Sequence, residues 1–458
     1  MKAFFLFFLL LVSTLNASAQ EYPLPEVLLP PDAGKNIVQT MHLLETSNKK
    51  NRNKVKIAVY GQSISKQTYW IPIVEELKRR YPYAEIEAKN LSIGGFSTQT
   101  LWKTVEMDIV AYYPDLIIFH SYGSDFDYER IMQIFRSRTA AEVLIHTDHY
   151  NGPGAWSDTM SYNRLPRYAE LYDLELVDVR RPWISYVEKH NYDPVSLTSD
   201  GAHLNEHGLF VMTEILRKYF VYRPEYLHKN AERTTYIPIK KGKPIDIEFE
   251  GNRIDLIFNE KTDPVTFSPL IDGKKPSQFP TAFVYTRPNN DEAKDWPWQT
   301  GAAYRIQNND PVEEEWTLTC TAIDSTYNEK NNEYELSFFE FVANGSVTGF
   351  DGIGRMGEDF VSKSGRCIIN AQEWWLTEPF RRAKVPMQPG YTITWKTVLQ
   401  GGASDSFSID GKCHKEKTII QGLPNGRHRL QIEGSKAIKG IKIYKPYLKE
   451  VTIHGEFF

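Results

Sequence analysis

Two short stretches of the chain carry residue types that can attack a carbonyl carbon and move a proton. Gly61-Gln62-Ser63 follows an apolar run over 55–60 and precedes a segment of helical spacing. A serine there presents its hydroxyl at the carboxyl end of a parallel strand, where open α/β sheets gather their active sites. The second stretch is Ser199-Asp200-Gly201-Ala202-His203-Leu204-Asn205, with an acid three residues before a histidine and an amphipathic segment directly after. That spacing lets one loop hold a carboxylate against an imidazole, orienting it and stabilising its charged form. Each signal alone has a plainer reading, a helix-capping serine in one case and a capping aspartate beside a surface histidine in the other. Standing in this order at the two ends of one α/β pattern, they predict a catalytic triad of Ser63, His203 and Asp200 for acyl transfer, with no metal and no organic cofactor.

A third stretch, His146-Thr147-Asp148-His149, is the one place that invites a metal reading. A usable site needs three or four converging ligands, and the spacing indicates none beyond these. Contact with substrate, or polar packing, is the expectation. The three cysteines, Cys320, Cys367 and Cys413, are too few and too widely spaced for a disulfide framework or a Cys-x-x-Cys site, and leave room for one disulfide and one free thiol.

The elements that position these residues follow from periodicity. Apolar runs at 55–60, 86–91, 116–121, 143–147 and 174–179 read as strands. Between them Trp70, Ile71, Val74 and Leu77, and later Leu209, Met212, Ile215 and Leu216, repeat at helical spacing. Strands alternating with helices predict a parallel sheet covered on both faces, a three-layer α/β domain over 54–223. The preceding 20–53 reads as an extension packed on that domain. From 224 to 458 the texture changes to short runs rich in β-branched and aromatic residues, such as 245–249, 253–258, 391–398 and 440–444, which predict a β-sandwich or jelly roll of one or two domains. Asn425-Gly426 would make 422–430 a hairpin. The clusters Trp296-Pro297-Trp298 and Trp374-Trp375 are read first as packing and second as platforms for sugar rings.

The outer two blocks, in this order and at this separation, resemble the first and last blocks of the SGNH/GDSL hydrolase superfamily. The resemblance covers about 55–220 and implies a serine esterase with an α/β/α fold. Residues 90–97 are similar to the family's glycine block, which implies that the Gly95 N–H helps form an oxyanion hole together with the Ser63 N–H. Residues 114–125 resemble its third block, whose asparagine donates to the oxyanion. Here that asparagine is missing, and either Ser124 or Asp125 takes its place according to which residue anchors the alignment. Losing one such donor costs about 3 kcal/mol. Gln62 stands where the family's name-giving aspartate usually sits, and this Gly-Gln-Ser version resembles that of several carbohydrate acetylesterases. The β-rich half resembles, more loosely, jelly-roll modules attached to polysaccharide-active esterases.

Composition narrows the partners. With 54 Lys+Arg against 58 Asp+Glu and no long run of one sign, there is no footprint for nucleic acid or an anionic membrane. Residues 1–19 read as a signal peptide: Lys2, an apolar run over 4–12, and Ala17-Ser18-Ala19 as a cleavage site. The run is too short to span a membrane, so the expectation is an exported protein, periplasmic or extracellular, acting on an acylated polysaccharide or oligosaccharide. Two other readings of the same residues are a lipase or thioesterase on this fold, and a catalytically weak carbohydrate-binding protein.

Overall fold

The computed structural model describes residues 22–227, 233–240, 242–259, 264–289, 302–376, 388–409, 416–434 and 436–447. The signal-peptide segment 1–19, Trp296-Pro297-Trp298 and Cys413 lie outside the described residues.

Five strands form the central sheet: β1 (Lys54–Gly61), β2 (Glu85–Asn90), β3 (Leu116–His120), β4 (Glu142–His146) and β5 (Glu175–Val177). All neighbours are parallel, and their order is β2-β1-β3-β4-β5. Because side chains alternate across a strand, Val55, Ile57 and Val59 enter the core on one face, and Ala58 and Tyr60 the core on the other. Nine helices are used here: α1 (Val38–Glu45), α2 (Ser63–Lys66), α3 (Trp70–Arg80), α4 (Thr98–Leu101), α5 (Asp125–Arg138), α6 (Ala155–Thr159), α7 (Leu165–Leu171), α8 (Arg180–Lys189) and α9 (Glu206–Arg217). Helices α1, α3, α8 and α9 cover the first face, through residues such as Met41, Val74, Trp183 and Met212. Helices α4, α5 and α7 cover the second, through Leu101, Phe135 and Tyr168. The expected three-layer α/β fold is what the structure has.

Local chemistry fixes the helix ends and faces. Asn205 caps α9 by accepting the Gly208 N–H at 3.1 Å, and the helix buries Val211, Met212, Ile215 and Leu216. In α3 the buried stripe is Ile73, Val74 and Leu77, while Ile71 is 41% exposed, one position off the face that its apolar character predicted. The segment before β1 is tied to the sheet: Glu175 accepts the N–H groups of Gly34 and Asn36, and Glu142 those of Gln39 and Thr40.

From Thr234 onward the described strands pair antiparallel. Glu416–Gln421, Arg253–Phe258, Ile438–Tyr444 and Thr234–Pro238 form one sheet; Leu270–Ile271, Arg427–Ile432 and Ile245–Glu250 form another. Their apolar residues, among them Ile254, Leu256, Phe249 and Leu430, share one core, as a sandwich requires. A third sheet, of Phe283–Tyr285, Thr392–Leu399, Glu314–Asn328, Glu333–Gly345 and Gly349–Arg355, has a separate core around Trp316, Phe341 and Trp395. In sequence it lies between the two groups of sandwich strands.

The hairpin expected at Asn425-Gly426 is corrected. The strands on either side belong to different sheets, Glu416–Gln421 pairing with Arg253–Phe258 and Arg427–Ile432 with Ile245–Glu250. Tertiary anchors redirect the turn: Gly422 has φ +86° and donates to the Asn252 carbonyl at 2.9 Å, and the Asn425 amide donates to the Ser137 carbonyl at 2.8 Å. Trp375 packs against Tyr304 and against Phe96 of the α/β half, so it joins the two halves. Cys320 and Cys367 are buried free thiols. Among the described residues no helix is long and apolar enough to cross a membrane.

Candidate active site

Strand order reverses between β1 and β3, and a parallel sheet opens a crevice at such a point beyond its carboxyl ends. Gly61 ends β1 there with φ +146°, and a Cβ on it would lie 1.8 Å from the His120 carbonyl oxygen and 2.5 Å from Ser65 Oγ. Only glycine lets the chain turn this close to β3. The turn is then pinned to its neighbours. Ser65 Oγ and the Gln62 N–H both donate to the His120 carbonyl, at 2.9 and 3.3 Å, and the Asn90 amide donates to the Ser65 carbonyl at 2.8 Å. Ser63 opens α2, where the first backbone N–H groups have no partner inside the helix.

On the loop before α9, Asp200 accepts twice through Oδ1, from the backbone N–H of His203 at 2.8 Å and of Ala202 at 3.0 Å. Its Oδ2 takes His203 Nδ1 at 2.7 Å. The His203 backbone and side-chain hydrogen bonds, with that of Ala202, hold the exposed Asp200 carboxyl down at about 2. The acid is therefore ionised across the neutral range, His203 is fixed with its proton on Nδ1, and Nε2 is the nitrogen left to act as base.

The two loops are joined by Gln67, which the sequence reading passed over. Its Nε2 donates to the Leu204 carbonyl at 2.8 Å, and its Oε1 accepts the Leu204 N–H at 3.0 Å. One amide on the serine's helix end thus grips the residue next to His203. A glutamine carries no chemical signature that announces such a role; only the fold brings it to position 204.

Ser63 and His203 line one open cleft of about 790 Å³. Gln62, Gln99 and Ser124 also line it. Ser124 caps α5, its Oγ accepting the Asp127 N–H at 3.3 Å, which leaves the hydroxyl proton available to a ligand. Asp125 is turned the other way, to an ion pair with Arg164 Nε at 3.2 Å. Gly95 is exposed with φ +78° in the loop ahead of α4 and is not among the lining residues. The loop after β3 fits against Thr98 and Gln99 so closely that a Cβ on Gly123 would meet their side chains at 2.4 and 2.2 Å.

The far wall of the cleft includes Tyr122, Asp148, His149 and Trp156. His120 Nε2 and His149 Nδ1 each stand 3.5 Å from Asp148 Oδ1. Burial by itself would raise the Asp148 carboxyl, but the flanking imidazoles of His120 and His149 bring it down to about 2. His146 is stacked on His120 with ring centres 4.4 Å apart, and burial drives it well below the usual histidine range. Among the described residues no group of three or more His, Cys, Asp or Glu is arranged to hold a metal ion.

No family model matches the chain, and no curated protein matches it. Solved structures do. An acetylxylan esterase, Axe2 from Geobacillus stearothermophilus, is 17% identical with a TM-score of 0.33, over 38% of this chain and 96% of its own. A two-domain esterase (CEX) active on acetylated mannans is 14% identical with a TM-score of 0.33, over 86% of this chain and 92% of its own. An acetyl xylan esterase, AlAXEase, is 21% identical with a TM-score of 0.32, over 36% of this chain and 99% of its own.

Proposed function

We propose that the chain is an exported serine esterase that removes acetyl or other short acyl groups from a carbohydrate. The observation that carries this reading is the shared cleft: Ser63 lies at the point of strand reversal with His203, whose Nδ1 is held by an ionised Asp200. In this reading 1–19 directs export, 54–223 is the catalytic domain and the β-rich 224–458 is an accessory region.

The chemistry follows from the atoms present. Ser63 Oγ attacks the ester carbonyl carbon while His203 Nε2 takes its proton. Negative charge collects on the carbonyl oxygen and is met by the Ser63 N–H and the Ser124 hydroxyl. His203 returns the proton to the leaving sugar oxygen as the C–O bond breaks, leaving an acyl-serine. Water, deprotonated by His203, releases the acid and regenerates the enzyme. Asp200 stays ionised throughout and stabilises the imidazolium.

The test is hydrolysis of para-nitrophenyl acetate and its longer-chain homologues by wild type and Ser63→Ala. Activity that is highest on acetate and lost in the variant supports the reading. A rise with chain length points instead to a lipid or thioester substrate, and equal background from both proteins ends the enzyme reading.

A further inference from the structure

The end of β4 and the loop after it contain an internal comparison. His146 and His149 are both buried, yet His146 has each ring nitrogen matched, Nε2 by the Tyr69 hydroxyl at 3.0 Å and Nδ1 by the Thr147 carbonyl at 3.0 Å. His149 is 4% exposed and lines the cleft; its Nδ1 stands 3.5 Å from Asp148 Oδ1, and its Nε2 has no hydrogen-bond partner among the described residues. Its neighbour Asp148 is ionised, with Oδ1 3.5 Å from both His120 Nε2 and His149 Nδ1 and Oδ2 accepting the Ser157 hydroxyl at 3.3 Å. The pair is held rigidly: Arg180 Nη1 donates to the His149 carbonyl at 3.0 Å, its Nε is bonded to Asp158 at 2.7 Å, and His149 packs on Trp183 with ring centres 5.4 Å apart. A buried polar group left unmatched destabilises the fold, so such groups in a cleft wall are ordinarily there for a ligand.

The ligand's chemistry can be read from the donors and acceptors. With Nδ1 turned to the Asp148 carboxylate, Nε2 is the His149 nitrogen left for a ligand, and Asp148 adds a fixed negative charge beside it. An alkyl group would leave Nε2 unmatched, and a carboxylate or phosphate would face Asp148. A hydroxyl, which can give or receive, satisfies it. Beside them Trp156 is 45% exposed and meets Tyr122 nearly edge-on at 5.2 Å, giving an aromatic face of the kind that packs on the C–H groups of a sugar ring.

Resting on the esterase reading, we propose that His149, backed by Asp148, is the specificity-determining residue for the alcohol half of the substrate: it binds a free hydroxyl next to the ester on an uncharged pyranose whose ring lies against Trp156.

The probes are methyl 3-O-acetyl pyranosides, their 2-deoxy and 4-deoxy analogues, and para-nitrophenyl acetate. In wild type, one deoxy analogue is expected to lose about tenfold or more in kcat/KM relative to its parent. In His149→Leu the parent should fall to the level of that analogue, so discrimination disappears, and His149→Gln, which keeps a donor and an acceptor, should restore part of it. The proposal is overturned if wild type hydrolyses both deoxy analogues as well as the parent, a result that needs no variant to fold. It is also overturned if His149→Leu lowers the pyranosides and para-nitrophenyl acetate by one common factor. Ser63-dependent hydrolysis of para-nitrophenyl acetate without sugar discrimination removes this inference alone; no Ser63-dependent hydrolysis of any probe removes the esterase reading and this inference with it.

Discussion

Truncating Gln67 to alanine removes the side chain that ties the serine's helix to the loop carrying His203. Two hydrogen bonds to Leu204 are lost, one through its carbonyl and one through its N–H. At about 1 kcal/mol for each bond, the loss in stability is about 2 kcal/mol. The loss in rate is the more telling quantity. With the clamp gone, the loop carrying His203 keeps its internal ties, the Ser199 N–H to the His203 carbonyl at 2.7 Å and the Gly201 N–H to Thr198 Oγ1 at 3.1 Å, but not its registration against Ser63. A displacement of about 1 Å between nucleophile and base costs up to about 100-fold. The expected outcome for Gln67→Ala on para-nitrophenyl acetate is therefore a kcat lowered by about 10- to 100-fold with KM little changed, in a protein whose far-ultraviolet dichroism matches wild type. A folded variant with kcat within twofold of wild type would refute the argument that Gln67 sets the distance between the loops.

Three further outcomes are expected. Gly61→Ala forces a Cβ to within 1.8 Å of the His120 carbonyl at φ +146°, and strain plus overpacking should destabilise by about 3 kcal/mol or more, measured by urea unfolding. Ser124→Ala should lower kcat/KM by about 10- to 100-fold and cost about 1 kcal/mol as a lost cap, whereas Asp125→Asn, whose partner is Arg164 outside the cleft, should change kcat/KM by less than about threefold. Burial pushes the Glu175 carboxyl up to about 6 despite the N–H groups of Gly34 and Asn36. The folded state then holds this proton more tightly than the unfolded chain, so the stability Glu175 contributes is full below about pH 4 and falls by about 2 kcal/mol as pH rises to about 6; wild type minus Glu175→Gln, in unfolding measured across the range, should show that fall.

The centre of the sheet was legible because β3 and β4 are buried on both faces and so appear as unbroken apolar runs: the run at 116–121 is β3, Leu116–His120, and that at 143–147 is β4, Glu142–His146. The run at 174–179 was read too long, since only Glu175–Val177 pairs with β4 before the chain turns into α8. Ser63, Asp200 and His203 stood out because loop and residue type agreed. Ser124 and Asp125 could not be separated from sequence, because adjacent residues at a helix start point in different directions and only packing against Arg164 assigns them. Gln67 was hidden for a related reason: its role depends on Leu204, distant in the chain. The turn at Asn425-Gly426 has hairpin composition, but anchors at Asn252 and Ser137 decide its path.

The sandwich is assembled from both ends of the β-rich half. Ile254 is paired with Ile420 on one side and with Ile443 on the other, while the Trp316 sheet occupies the chain between. During synthesis the α/β half has all its strands once β5 has emerged, whereas Arg253–Phe258 must wait, with both edges open, for partners near the end of the chain. Open strand edges are sites of association. The interval before Glu416–Gln421 and Ile438–Tyr444 arrive is therefore when this protein is most exposed to aggregation, and truncations that remove those strands would act through solubility rather than through catalysis.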